Sequence, residues 1–211
     1  MSDVLVIAPH ADDEILGVGG TIQKHICLGD TISVAIVCNR RGDVEKLRAE
    51  SKNALEHIGV TKNVYYLGLS DEWLDDLSRP VIKEIDSVYM QVSPEVVYYP
   101  HHGDVNTDHK MVNRACGVIC RPDGWLKRVY LYEVPSSTTH SQYKTFTPNH
   151  YTELTEEQVD NKIAAMQKYE SEFRSFPNAR SIAGINTYAN FRGMECGHKY
   201  AEAFQCIMSI Y

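Results

Sequence analysis

No stretch of this sequence approaches the ~18 consecutive apolar residues that a membrane-spanning helix needs. Basic residues are also in deficit: 21 Lys and Arg stand against 28 Asp and Glu, a formal charge of −7. A nucleic-acid backbone or an anionic membrane needs a basic face, so neither is expected as a partner. The opening MSDVLVIAPH lacks the basic n-region and cleavage site of a secretory leader. No CxxC pair occurs among Cys27, Cys38, Cys116, Cys120, Cys196 and Cys206. Scattered, apolar-flanked cysteines read as reduced thiols in a cytoplasmic protein, against both a disulfide framework and a zinc–thiolate site. Repeats, low-complexity tracts and Pro/Ser-rich linkers are absent too. The glycines of GVGGTI (17–22) lack GxGxxG spacing, and the acids before them would repel a pyrophosphate. A dinucleotide-binding reading therefore fails.

What is present is a rhythm. Apolar runs at 4–9, 31–39, 63–69, 96–100 and 126–134 read as strands, the first two as strands covered on both faces. Helical patterns at 15–28, 44–58 and 79–92 separate them, and a further helix starts near Thr107-Asp108, either of which could cap it. This alternation implies βαβ units and an α/β fold: a mainly parallel sheet with helices on both faces. One domain over residues 1–211 is expected. Within it 135–154 is a polar active-site loop, and 155–211 is a C-terminal extension packed on the sheet, opening with a helix at 155–173.

Ligands of such sheets gather at the carboxyl edges of the strands, and two histidine-rich segments fall there. The first, PHADDE (9–14), follows strand one. His10 and Asp13, three places apart in a loop, can converge on one divalent ion while Asp12 aims beside it. Taken alone, the acids could equally favour a helix dipole. The second, PHHGDVNTDH (100–109), follows strand four and places His109 in the first turn of a helix. His109 is the natural third ligand, giving a His-Asp-His set with an open position, as a catalytic metal needs. Asp108 is placed to orient an imidazole from behind.

With these segments in position the chain resembles the PIG-L/LmbE-like deacetylases, whose members include N-acetylglucosaminyl-phosphatidylinositol de-N-acetylases and the deacetylases of mycothiol and bacillithiol synthesis. The family's PHPDDE appears as PHADDE, and its H-x-D-H or H-x-x-H as NTDH (106–109). Weaker echoes are Arg48 and Glu50, GLSDEWL (68–74) and RGMECGHKYAEAF (192–204). The resemblance implies a Rossmann-like fold, zinc (with iron(II) as the other candidate) on His10, Asp13 and His109, and Asp12 as general base. It also implies that Arg48 and Asp71 hold substrate hydroxyls, and that the substrate is a small N-acetylated amino sugar. A homo-oligomer is compatible with it.

One departure stands out. Where relatives carry a histidine three residues before the last ligand, this chain has Asn106. An amide can donate to an oxyanion but cannot deliver a proton. His102 is the first replacement, with His101 or a shuttling Asp12 as the others. Hydrolysis of another small amide or an ester, and a non-catalytic sugar- or metal-binding homologue, are the competing readings.

Overall fold

The computed structural model describes residues 1–39, 43–70, 79–143 and 145–210. Among them, β1 (Asp3–Ala8), β2 (Thr31–Asn39), β3 (Val64–Ser70), β4 (Val96–Pro100), β5 (Arg128–Tyr132), β6 (His150–Glu153) and β7 (Ala201–Ser209) form one sheet in the order β3-β2-β1-β4-β5-β7-β6. The first five strands are mutually parallel; β7 runs antiparallel to both β5 and β6. Six helices accompany them: α1 (Asp13–Cys27), α2 (Val44–His57), α3 (Arg79–Val92), α4 (Thr107–Ile119), α5 (Glu156–Met166) and α6 (Ile182–Cys196). This is the mainly parallel α/β sheet that the alternation implied, and the Rossmann-like fold that the resemblance implied.

The period of two along a strand divides the core. Val4, Val6 and Ala8 face one side, with Ile15 of α1, Leu55 of α2 and Met166 of α5. Leu5 and Ile7 face the other, with Ile85 of α3 and Val112 of α4. Because β1 is buried on both faces, it reads as an unbroken apolar run.

The GVGG segment serves packing. A Cβ on Gly17 would run into the Tyr132 ring of β5, and one on Gly20 into Leu154. These glycines let α1 lie close against the sheet and the segment before α5, so the helix is buried from Asp13 to Gln23.

The C-terminal extension departs from expectation. Instead of lying on the sheet, it enters it, β7 being inserted between β5 and β6. Glu202 of β7 accepts hydrogen bonds from the Gly20 and Thr21 N–H groups at 2.8 and 2.7 Å, and pairs with Lys162 of α5 at 2.6 Å. The 135–154 segment likewise contributes β6 rather than being loop throughout. The helix expected over 155–173 does open with Thr155, which forms a capping box with Gln158, but it ends at Met166. Beyond it the chain turns so that Tyr169, fully buried, can donate to Glu14.

Candidate metal centre

The chain leaves β1 toward β2 and β3 on one side and returns to build β4 on the other. The switch point of the sheet therefore lies between β1 and β4, where a crevice opens beyond the strand ends. PHADDE follows β1 and HHGDVNTDH follows β4. The topology alone brings the two segments together.

The PHADDE turn is tightly held. The His10 N–H donates to Asp13 Oδ2 at 3.0 Å, and the Asp13 N–H to the His10 carbonyl at 3.3 Å. Asp12 sits between them at φ 113°, a left-handed conformation that costs a non-glycine residue of order 1–3 kcal/mol. Glu14 stabilises that geometry: its Oε2 accepts from the Asp12 N–H at 3.0 Å, while its Oε1 accepts from the Tyr169 hydroxyl. Burial pushes the Glu14 pKa up to about 8. The third acid of the motif is thus a scaffold for the first.

Donor atoms of His10, Asp13 and His109 all lie within 4.8 Å of one another, and all three residues are buried. His10 Nδ1 stands 3.4 Å from Asp13 Oδ2, and His109 Nε2 stands 3.1 Å from the same oxygen. Bonds of ~2.0–2.1 Å in a tetrahedral zinc site put neighbouring ligand atoms roughly 3.3 Å apart. The spacing fits such an ion. His10 Nδ1 and Asp13 Oδ1 are moreover buried without hydrogen-bond partners among the described residues, a costly state that an ion relieves.

Both imidazoles are backed by carboxylates. His10 Nε2 lies 2.7 Å from Asp108 Oδ2, and His109 Nδ1 lies 3.1 Å from Asp104 Oδ2. Such partners fix the tautomer and ring orientation of a ligating histidine and raise its basicity. Asp104 is fixed in turn by the Ser137 and Thr138 hydroxyls, which donate at 2.8 and 2.6 Å, and by the Asn106 N–H at 2.8 Å. The segment after β5 thereby supports the centre from behind.

The electrostatics follow. Burial alone would lower the His109 pKa, but Asp13 and Asp104 outweigh it and push the value up to about 10. Burial would raise Asp13, yet the two imidazoles hold it well below the usual carboxylate range. The pocket favours a positive charge at its centre.

Other residues singled out from sequence fall variously. Asn106, rather than Thr107 or Asp108, caps α4, its Oδ1 accepting from the Asp108 N–H at 2.8 Å. The cap uses its amide oxygen. His102 is exposed and packs against His101 with the rings tilted at 40° and their centroids 4.0 Å apart; it lines a groove of about 760 Å³ with Lys110, Arg114 and His140. His101 is fully buried, accepts from the Gly103 N–H at 2.9 Å, and has a pKa lowered to about 4 by burial and by His102. Arg48 lies over the Tyr66 ring at 5.5 Å and lines a separate groove along α2 with Glu45 and Asn63. Asp71 is outside the described residues. The thiol of Cys38 comes within 4.8 Å of donor atoms of His10 and Asp108, so one cysteine does border the centre.

Sequence reasoning missed two contacts. Asp104, five residues before His109 in a histidine-rich loop, had a visible signal. Arg180, which places Nη2 3.2 Å from Asp12 Oδ2, had none, because a lone arginine in a polar segment looks like any solvated one.

Comparison with known proteins bears on the family and the fold. The PIG-L family, described as GlcNAc-PI de-N-acetylase, matches residues 5–120. An uncharacterized deacetylase of Escherichia coli K12, YaiS, is 26% identical over 176 residues, covering 80% of this chain and 90% of its own. The diacetylchitobiose deacetylase of Thermococcus kodakarensis is 26% identical, with 99% of this chain and 84% of its own covered. Among solved structures, the conserved protein TT1542 from Thermus thermophilus superposes with a TM-score of 0.82 at 22% identity, over 100% of this chain and 97% of its own. The family match spans more than half of the sequence and includes both histidine-rich segments, so this chain belongs to the PIG-L family.

Proposed function

We propose that this protein is a metal-dependent hydrolase that removes the acetyl group from an N-acetylated amino sugar, with zinc as the ion and iron(II) as the alternative. The observation that carries the reading is the buried His10-Asp13-His109 set with a carboxylate behind each imidazole and Asp12 alongside. Its family membership and the diacetylchitobiose deacetylase among its relatives favour an acetamido sugar over other amides.

His10, Asp13 and His109 would hold the ion, which when bound polarises a carbonyl and lowers the pKa of a coordinated water toward ~7. Asp12 Oδ accepts the proton of the attacking water. The same carboxyl then returns it to the departing nitrogen, freeing acetate and an amine. This assigns both transfers to Asp12. Asn106 has no proton to give, and His101, with its pKa near 4, is neutral at pH 7. His102 belongs to the wall of the outer groove. Arg48 and Asp71 are proposed to meet sugar hydroxyls.

The test is metal content and acetate release from N-acetylglucosamine derivatives, measured on one preparation beside simple amides and acetate esters. A one-to-one metal complex that hydrolyses only the simple amides or esters would replace the sugar assignment. A complex that releases nothing would make the chain a binding homologue.

A further inference from the structure

We propose that Arg180 is a positioning residue for Asp12, fixing the orientation of that carboxylate toward the metal centre. The inference rests on the role given to Asp12 above and extends it to a residue outside the two histidine-rich segments.

Arg180 is largely buried and uses two arms of its guanidinium on two acids. Nη2 stands 3.2 Å from Asp12 Oδ2, and Nη1 donates to Glu172 Oε2 at 2.7 Å. The hydrogen bond to Glu172 fixes the plane of the guanidinium and so sets where Nη2 presents its charge to Asp12 Oδ2 in the ion pair, a placement that a lysine ammonium would not define. That placement bears directly on Asp12. Its backbone is already committed to a left-handed conformation by Glu14, but a carboxylate still rotates about its own bonds. For a group that must take a proton from one atom and return it to another, that freedom is costly: a misplacement of 1 Å can cost ~10²-fold in rate.

The segment presenting Arg180 is itself built for rigidity. The Arg180 N–H donates to Asn178 Oδ1 at 2.9 Å. Ser181 Oγ caps α6 by accepting from the Gly184 N–H at 2.9 Å and donates to the Asn178 carbonyl at 2.7 Å. A Cβ on Gly184 would lie 2.6 and 2.7 Å from the Asn178 and Ala179 carbonyl oxygens, so a glycine there lets the turn seat on α6. Upstream, Tyr169 donates to Glu14 and Ser171 donates to Glu50 of α2 at 2.7 Å. Residues 169–171 are therefore fastened to α1 and α2, and residues 178–181 to the start of α6, by bonds that do not involve the Arg180 side chain.

The experiment compares Arg180→Gln and Arg180→Lys with the unaltered chain for kcat, KM, metal content and thermal unfolding, and adds crystal structures of the zinc-loaded proteins. In Arg180→Gln, kcat is expected to fall about 10–100-fold, with KM within about threefold and one metal ion per chain retained. Arg180→Lys should recover part of the loss, and the Asp12 carboxylate should be rotated in the Gln variant alone. Unchanged kcat with Asp12 in its original orientation would overturn the proposal, as would a loss explained by missing metal or by unfolding. Should the unaltered protein release no acetate, the deacetylase reading fails by itself. The orientation of Asp12 in the zinc-loaded crystals would still decide the role of Arg180.

Discussion

Asp104 Oδ2 lies 3.1 Å from His109 Nδ1, on the opposite side of the imidazole from Asp13. The ring is thereby held between two carboxylates, one in position to share the ion and one behind. Replacing Asp104 with asparagine keeps the volume and an acceptor while removing the charge. Metal affinity should fall by about 10–100-fold, the usual effect of losing such a supporting partner. Competition with a chromophoric chelator measures it, and an unaltered affinity would mean that His109 needs no such support.

Asp12→Asn separates metal binding from turnover. The amide cannot accept a proton, yet the donor atoms of His10, Asp13 and His109 are untouched. We expect kcat to fall about 10²–10⁴-fold with full metal occupancy. Retention of the native rate would remove Asp12 from the reaction. Substituting His10 or His109 should instead abolish the bound metal, which elemental analysis reports directly.

His102→Ala tests whether proton return belongs to Asp12. The exposed ring packs on His101 and lines the outer groove. If its part is only that of a groove wall, kcat should change less than about threefold. A loss in the 10²–10⁴-fold range of a general acid would transfer the second proton step to His102. The reading of the NTDH segment would then move toward that of relatives with a histidine there.

Much of this could be read from the sequence. β1, β2 and β4 are recognisable because strands covered on both faces must be apolar along their length. The convergence of His10, Asp13 and His109 could be read because a metal site would demand such residue types at such spacings. β7 was less so: Glu202 interrupts AEAFQCIMS, and its counter-ion Lys162 lies on a different element. Burial of that acid becomes sensible only once α5 is folded against α1. Arg180 illustrates the same limit, since its meaning arises from a turn that meets the PHADDE loop only in three dimensions. Asn106 shows the converse. A residue noticed because it stands where relatives carry a histidine is bonded through its amide oxygen as a helix cap, a role its type and position before α4 also suit.

Gly17→Ala addresses how α1 is seated. The added methyl would meet the Tyr132 ring, a fully buried side chain whose hydroxyl donates to the Ile7 carbonyl at 2.9 Å. Both the ring and this stretch of the helix are buried. Overpacking of this kind costs typically ~1–3 kcal/mol, so denaturant unfolding should show a lowered midpoint. Because α1 begins at Asp13, a shift of the helix would also loosen the metal set; a variant with unchanged stability would show that the glycine is not needed for packing.

His101 should give the protein an acid-sensitive limb of stability. Burial and the neighbouring His102 lower its pKa from the ordinary 6.5 to about 4 in the folded state. Between those values the unfolded chain binds a proton that the folded chain excludes, so stability rises with pH across this window and falls as the solution is acidified. Above pH 6.5 both states are neutral at this position and the effect vanishes. A shift of this size corresponds to a loss of up to about 3 kcal/mol on reaching pH 4. His101→Asn retains an acceptor for the Gly103 N–H but cannot be protonated in this range. Unfolding curves for the two proteins at a series of pH values isolate the contribution from that of the carboxylates, which both share. The difference between them should be flat above pH 6.5 and change steadily below it, in favour of the variant. Parallel curves from pH 7 to pH 4 would mean that His101 takes up its proton as readily inside the fold as outside it.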